Sequence, residues 1–517
     1  MLYMNKMKKS LGLVAIAMMS LAVSCTKDFE DINTNKNAPT TELAAPNMLL
    51  TNAIESMTDR IQDIWLGGEI GSCWVQHLAK VQYTDEDRYV PRVSVINNTW
   101  SSFYAASGQD VATIIELGKE RQHDNYLGVG YVLQSYIMSV ITDLWGDVPY
   151  SEAFKAKLGI ASPKYDTQES IYRALIAKLD SANTLLDPNG AKIEGDILYG
   201  NDIAKWKKFA NSLRLRLLLR MSKKDGAFVT QEMTKMLVTN NADYPIFESN
   251  ADNAALKYLG SYPNNNPINE NRKTRDDHRV SKTIIDFQWT NNPYVDWRVM
   301  VYANLSEGGG DYVGLPNGLT SAKAAAYMGN GLKMTSKLGD YFTKPDAPGM
   351  LMSYAELLFI LSEATQKGYI TGGSTTAQQY YEDGIKASFE QFGNEIVTLG
   401  EEIFGMPPGL TVQDYIDDYM ANGDGAWDYD SDGDPLPEIG YQKWLAMFDQ
   451  GIQAWFEWRR TGFPTLTPAE DGLNGGKIPI RIFYPSDEGA RNATNLQEAV
   501  DRQGVDDLNT PVWWATN

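Results

Sequence analysis

Asp428, Asp430, Asp432 and Asp434 alternate along one short stretch, with Gly433 at its bend. Carboxylates on alternate residues of a turn can wrap a hard divalent cation with oxygen ligands. Glu438 offers a closing acid, one place ahead of where a helix-loop-helix calcium hand would put it. Pro435 and Pro437 argue against the exiting helix of such a hand. The spacing therefore predicts a loop stapled by structural calcium through Asp428, Asp430, Asp432, Asp434 and Glu438, with a solvated acidic turn as the alternative. No other cofactor is suggested.

The second kind of chemistry is recognition by rings. The chain holds 28 Tyr and 13 Trp against 16 Phe. Aromatics with a polar handle can stack on a ligand and hydrogen-bond it as well. Sugar rings match them, with apolar C–H faces inside a polar rim. The densest run is Cys73–Arg88, with Trp74, Gln76, Gln82 and Tyr83; Trp100 and Tyr104 follow in the next helical window. Tyr262 stands beside Asn264, Asn265 and Asn266. The candidate ligand-binding residues are Trp74, Gln76, Gln82, Tyr83, Trp100, Tyr262 and Asn265. Each has a competing use in core or scaffold packing, because aromatics dominate cores too.

Catalytic patterns are missing from the sequence. It contains no H-E-x-x-H and no G-x-S-x-G. Gly472–Lys477 fails as a phosphate loop, because Ile478 stands where Ser or Thr is needed. The only histidines are His77, His123 and His278, which is little material for zinc or imidazole catalysis. Among 66 acids nothing marks out one pair for glycoside hydrolysis. The expectation is a binding protein, not an enzyme.

Helices must carry these residues. In Leu351–Ala364 the apolar positions Leu351, Tyr354, Ala355, Leu358 and Leu361 recur at helical spacing, with Pro348 before and Gly368 after. Thr375–Phe392 follows after a Gly-rich turn, as in a helical hairpin. Tyr131–Leu144 with Gln168–Leu186, and Ile203–Met221 with Thr230–Leu237, form similar pairs. No clean 34-residue period accompanies them. Gly440–Arg460 reads as one helix with Trp444, Phe448, Ile452 and Trp455 on a core-facing stripe. Gly260–Arg275, Leu305–Gly318, Gly400–Pro437 and Pro464–Gly476 read as long irregular loops, a class often functional. The fold class is mainly α: helix pairs displaying a loop-rich ligand-binding face.

The N-terminus sets the compartment. Lys6, Lys8 and Lys9 precede an apolar stretch, Leu11–Val23, and the small residue Ser24 comes directly before Cys25. This is a secretory leader. Leu21-Ala22-Val23-Ser24-Cys25 resembles a bacterial lipobox, which makes Cys25 the lipidation site; several acyl chains on one residue give stable anchoring. Residues 1–24 are expected to be signal peptide, 25–40 a lipidated flexible tether and 41–517 a single domain. Asp28, Glu30 and Asp31, close to the lipid site, resemble the signal that sends some lipoproteins to the outer face of the outer membrane. With Cys25 acylated, Cys73 has no disulfide partner. The formal charge is −20, and −23 once the three leader lysines are gone. A surface that acidic repels nucleic acid and favours a neutral or cationic ligand.

Five further blocks carry a resemblance. They are Asp143-Leu144-Trp145-Gly146-Asp147-Val148-Pro149-Tyr150, the run WKKFANSLRLRLLLR from Trp206 to Arg220, Ser353-Tyr354-Ala355-Glu356 through Ser362-Glu363-Ala364, WFEWRRTGFP from Trp455 to Pro464, and PIRIFYPSDEGARNATN from Pro479 to Asn495. In type and order they resemble the SusD/RagB family of outer-membrane nutrient-binding lipoproteins, closest to its SusD-like, starch-binding-associated branch. The resemblance implies a helical body with tetratricopeptide-like pairs. It also implies a partner, a SusC-like TonB-dependent outer-membrane transporter to which a surface lipoprotein delivers oligosaccharide or peptide. The motif residues themselves read as structural, with Arg459 and Arg460 pairing Glu457 inside. Glycan capture is the leading expectation, peptide or other nutrient capture the second, and a surface glycoside hydrolase the third.

Overall fold

The computed structural model describes residues 45–290, 295–422, 425–427 and 433–515. Cys25, the leader, the tether and Asp428, Asp430 and Asp432 lie outside the described residues. From Pro46 onward the chain clusters as one compact unit.

The expected helix pairs form, and their starts are fixed by side-chain caps. Thr167 accepts from the Ser170 N–H at the head of Gln168–Leu185, Asp202 from Lys205 at Ile203–Arg220, Asp225 from Phe228 at Gly226–Thr234, and Ser353 from Glu356 at Tyr354–Gln366. Each cap satisfies an N–H that has no partner within its helix. Asp124–Trp145 packs on Gln168–Leu185, and Tyr354–Gln366 on Gly373–Gln391. The latter pair approaches so closely at Gly384 that a Cβ there would stand 2.9 Å from the Phe359 ring. Asp124–Trp145 is long and apolar enough to cross a membrane, yet it is a core helix, 89% buried across its most apolar window. Among the described residues, strands are short and occur in three antiparallel pairs.

Several boundaries differ from the periodicity reading. Leu351 belongs to a strand, Gly349–Met352, paired with Ala254–Leu256, and the helix begins only after Ser353. Gly440–Arg460 is two helices, Leu436–Ala446 and Gly451–Thr461. The break lets backbone meet backbone: a Cβ on Gly71 would stand 2.5 Å from the Gly451 carbonyl carbon. The stripe residues Trp444, Phe448, Ile452 and Trp455 are all buried, as expected. Gly400–Pro437 is not a plain loop, since Gly393–Phe404 and Val412–Asn422 are helical within or across it. Gly260–Arg275 contains the short helix Pro267–Arg272, capped by Asn266 with Pro267 in its first turn.

The motif blocks meet in buried ion pairs. Arg216 clamps Glu356 with Nε and Nη2 both at 2.6 Å. Arg220 reaches Asp143 at 2.6 Å. Arg460 bridges Glu363 and Glu457, and Lys443 joins Glu457 at 2.8 Å. Arg459 corrects the expectation of a Glu457 pair. Its guanidinium donates to the carbonyls of Ile480 and Asp143, each at 2.7 Å, and lies 4.1 Å from the Trp455 ring centroid. With carbonyls as its hydrogen-bond acceptors, burial lowers the Arg459 pKa to about 9.

Candidate functional site

The helix Pro46–Gln62 ends at Asp63, whose Oδ1 accepts the Leu66 N–H at 2.6 Å. Burial raises the Asp63 carboxyl to about 6, against the pull of Arg60, bonded to it at 2.7 Å. The chain then runs through a π-helical segment, Ile64–Ser72. Such wide turns are often found at functional sites. Gly67 is obligatory there, because a Cβ would stand 2.3 Å from the Ile61 carbonyl oxygen. This segment presents Trp65 to an open cleft of about 660 Å³. The opposite wall comes from the Gly260–Arg275 region: Tyr262, Pro263, Asn265, Glu270 and Asn271.

Rings and guanidinium groups interleave beside this cleft. Arg92 lies 4.6 Å from the Trp65 centroid; Arg275 lies 5.5 Å from Trp65 and 4.9 Å from Tyr83. A guanidinium over an aromatic face is worth about 0.5–1 kcal/mol when exposed and about 2 when desolvated. Both arginines are tethered, Arg275 to Asp277 at 2.8 Å and Arg92 to Glu86 and Glu69. Beneath them Lys80 is fully buried, its Nζ 2.5 Å from Glu69 and 2.6 Å from Glu86. Burial, reinforced by the Glu86 charge, raises Glu69 to about 7 against the pull of Lys80. His278, 3.8 Å from Glu69, is held neutral by burial and by neighbouring cations. A buried charge cluster thus supports the exposed stack.

Tyr262 is 73% exposed on a short loop closed by the Leu259 N–H to Asn264 carbonyl bond at 2.8 Å. Next to it Asn265 is only 4% exposed. Its Nδ2 donates to Asn269 at 2.9 Å and to Glu270 at 3.0 Å, leaving Oδ1 without a partner at the wall of the cleft. A second opening of about 700 Å³ adjoins, lined by Met48, Ile197, Leu259 and Asn264. Glu55 lines both.

The sequence candidates divide. Tyr83, Tyr262 and Asn265 stand at or beside the cleft, and Gln82 is half-buried in the same run as Tyr83. Trp74 is fully buried against Trp455, its indole N–H spent on the Glu86 carbonyl. Gln76 is buried, donating to the Thr467 carbonyl and accepting from Thr283. These two have no surface to offer a ligand; they are packing. Trp100 is nearly buried beside Tyr104 and lines a separate groove of about 290 Å³ with Phe154. Trp65 and Arg275 were not among the candidates. Gly67-Gly68, directly after Trp65-Leu66, where the backbone must close tightly, was the available signal.

Of the expected calcium ligands, only Asp434 and Glu438 are described. Asp434 is exposed and accepts the Leu436 N–H at 3.1 Å. Glu438 is buried in the first turn of Leu436–Ala446. That helix overturns the expectation that Pro435 and Pro437 forbid one: they occupy its cap and first turn, where no N–H is needed. Among the described residues no cluster of three or more His, Cys, Asp or Glu could hold a metal. Cys73 is buried and has no disulfide.

A family model described as starch-binding, associating with the outer membrane, matches residues 36–485. No curated protein matches the chain in sequence. Among solved structures, a chitin-binding protein is 28% identical with a TM-score of 0.77, over 92% of this chain and 100% of that one. A SusD homologue from Bacteroides uniformis is 26% identical (TM-score 0.73, 91% and 99% covered). One from Bacteroides fragilis is 25% identical (TM-score 0.71, 92% and 100% covered).

Proposed function

The chain belongs to the SusD-like family of starch-binding proteins associated with the outer membrane, and from that premise we propose that it captures oligosaccharide without cleaving it. The observation that carries this reading is the cleft, where Trp65 and Tyr262 line one opening together with Asn265, Asn271 and Arg60. Stacking aromatics with fixed polar groups at their edges suit the C–H faces and hydroxyl rim of a sugar. The likeness to a chitin-binding protein over nearly the whole chain supports a glycan as ligand.

In this reading Cys25 carries the lipid, the body sits at the cell surface, and captured glycan passes to a SusC-like TonB-dependent transporter. Calcium at Asp428, Asp430, Asp432, Asp434 and Glu438 belongs to the same proposal; its readout is a calcium-dependent rise in melting temperature that Asp434→Asn reduces.

The test is calorimetric titration of the mature, detergent-solubilised chain with oligosaccharides and short peptides, followed by a check of the recovered glycan for new reducing ends. Saturable binding of intact glycan is the expected result. Cleavage would make the protein a hydrolase, and binding confined to peptides would replace the ligand class.

A further inference from the structure

We propose that the glycan taken by this cleft is cationic: an oligosaccharide of amino sugars bearing free ammonium groups, read by Glu55 and Asp59. This deepens the glycan reading and rests on it.

Glu55 and Asp59 lie one turn apart on the helix Pro46–Gln62, and both line the cleft. The other charges nearby are already matched. Asp63 is bonded to Arg60 at 2.7 Å, Glu270 to Lys273 at 2.5 Å, and Arg275 to Asp277 at 2.8 Å. Among the described residues no Lys, Arg or His comes within ion-pair distance of Glu55 or Asp59, and the Asp59 Oδ1 is buried without a hydrogen bond. Burial raises both carboxyls above their ordinary range, the Asp59 charge raises Glu55 further, and the Tyr258 hydroxyl and the Arg60 charge offset the rise at Asp59 only in part.

Asn265 gives the independent observation. It is buried, its Nδ2 is committed, and its Oδ1 is an unpaired acceptor. The wall therefore combines two carboxylates without a salt bridge, Glu55 and Asp59, with unpaired oxygens on Asp59 and Asn265. A ligand that matches them must donate. An ammonium group supplies three N–H donors and the missing charge together. A neutral hydroxyl supplies one donor and no charge.

The length of the ligand follows from Glu55. It lines the adjoining opening too, where Met48 is 72% exposed and Leu259 59%. One chain running from the Tyr262 side to the Leu259 side would pass Glu55 at its middle, so an oligomer fits better than a single sugar. The strongly negative mature chain adds a long-range attraction that salt screens.

The experiment titrates the mature, detergent-solubilised chain with glucosamine oligomers, N-acetylglucosamine oligomers of equal length, malto-oligosaccharide and a lysine-rich peptide, at low and high salt. The pH is set so that the sugar amine is protonated. The free-amine oligomer is expected to bind about tenfold more tightly than its acetylated counterpart, a gap of about 1.4 kcal/mol, and the gap narrows in salt. The double variant Glu55→Gln, Asp59→Asn is expected to abolish the gap between the two oligomers, with the greater loss falling on the free-amine oligomer. The wild-type salt dependence tests the idea even if that variant folds poorly.

Equal affinity for the two oligomers, or a preference the double variant retains, overturns this inference and leaves glycan capture standing. If no glycan binds, or Trp65→Ala leaves all glycan affinities intact, the underlying reading of the cleft fails instead. Tighter binding of the lysine peptide than of any glycan overturns both.

Discussion

The guanidinium of Arg275 lies 4.9 Å from the centroid of the Tyr83 ring. The two come from segments far apart in sequence, and the contact places a guanidinium over an exposed ring. Arg275 also reaches Trp65. We expect Arg275→Ala to weaken glycan binding by about tenfold, near the cation–π range of about 0.5–2 kcal/mol. The melting temperature should move little, because Arg275 is half-exposed. Titration alongside thermal melting checks both parts.

Tyr262 should separate binding from stability most cleanly. At 73% exposure its ring contributes little to the core. Tyr262→Ala is expected to leave the unfolding midpoint unchanged and cost about 2 kcal/mol of binding, as exposed aromatic anchors commonly do. Urea unfolding and titration read the two quantities independently.

Removing one half of a buried ion pair should have the opposite profile. Arg216 and Glu356 are both buried and bonded at two points. Glu356→Ala leaves an uncompensated guanidinium inside, a loss of about 3–5 kcal/mol. Chemical denaturation should show that loss, while the cleft keeps its ligand affinity wherever the protein remains folded.

Stability should also respond to pH through Asp449. Burial raises its carboxyl from 3.8 to about 7, and its partner Gln391, at 3.0 Å, only partly offsets this. The folded state therefore binds this proton more tightly than the unfolded state. The resulting stabilisation is complete below about 3.8 and is lost as pH rises through about 7. Glu363 works in the other direction. Held down to about 2 by Arg460 and Lys367 against the cost of burial, it contributes stability above 4.5 that is lost as pH falls toward 2. Asp449→Asn should flatten the decline between about 4 and 7 in a series of denaturation curves.

Local rules carried much of the fold. Thr167, Asp202, Asp225 and Ser353 each precede a helix they cap, so the helix pairs were legible from neighbours a few residues apart. The break before Gly451 was not, because its cause is a backbone contact with Gly71, far away in sequence. The site was legible only in part. Ring density pointed equally to Trp74 and Tyr83, and only packing tells them apart: Trp74 faces Trp455, while Tyr83 faces solvent and Arg275. Trp65 escaped notice because a π-helical segment has no simple apolar period, yet that segment is what presents its ring.

The most direct test of the account is a structure of the mature chain with a chito-oligosaccharide bound. The account predicts sugar rings against Trp65 and Tyr262, with the unpaired Oδ1 of Asn265 accepting a hydrogen bond from the ligand. Sugar bound only in the groove of Trp100, Tyr104 and Phe154, with the Trp65 cleft empty, would contradict it.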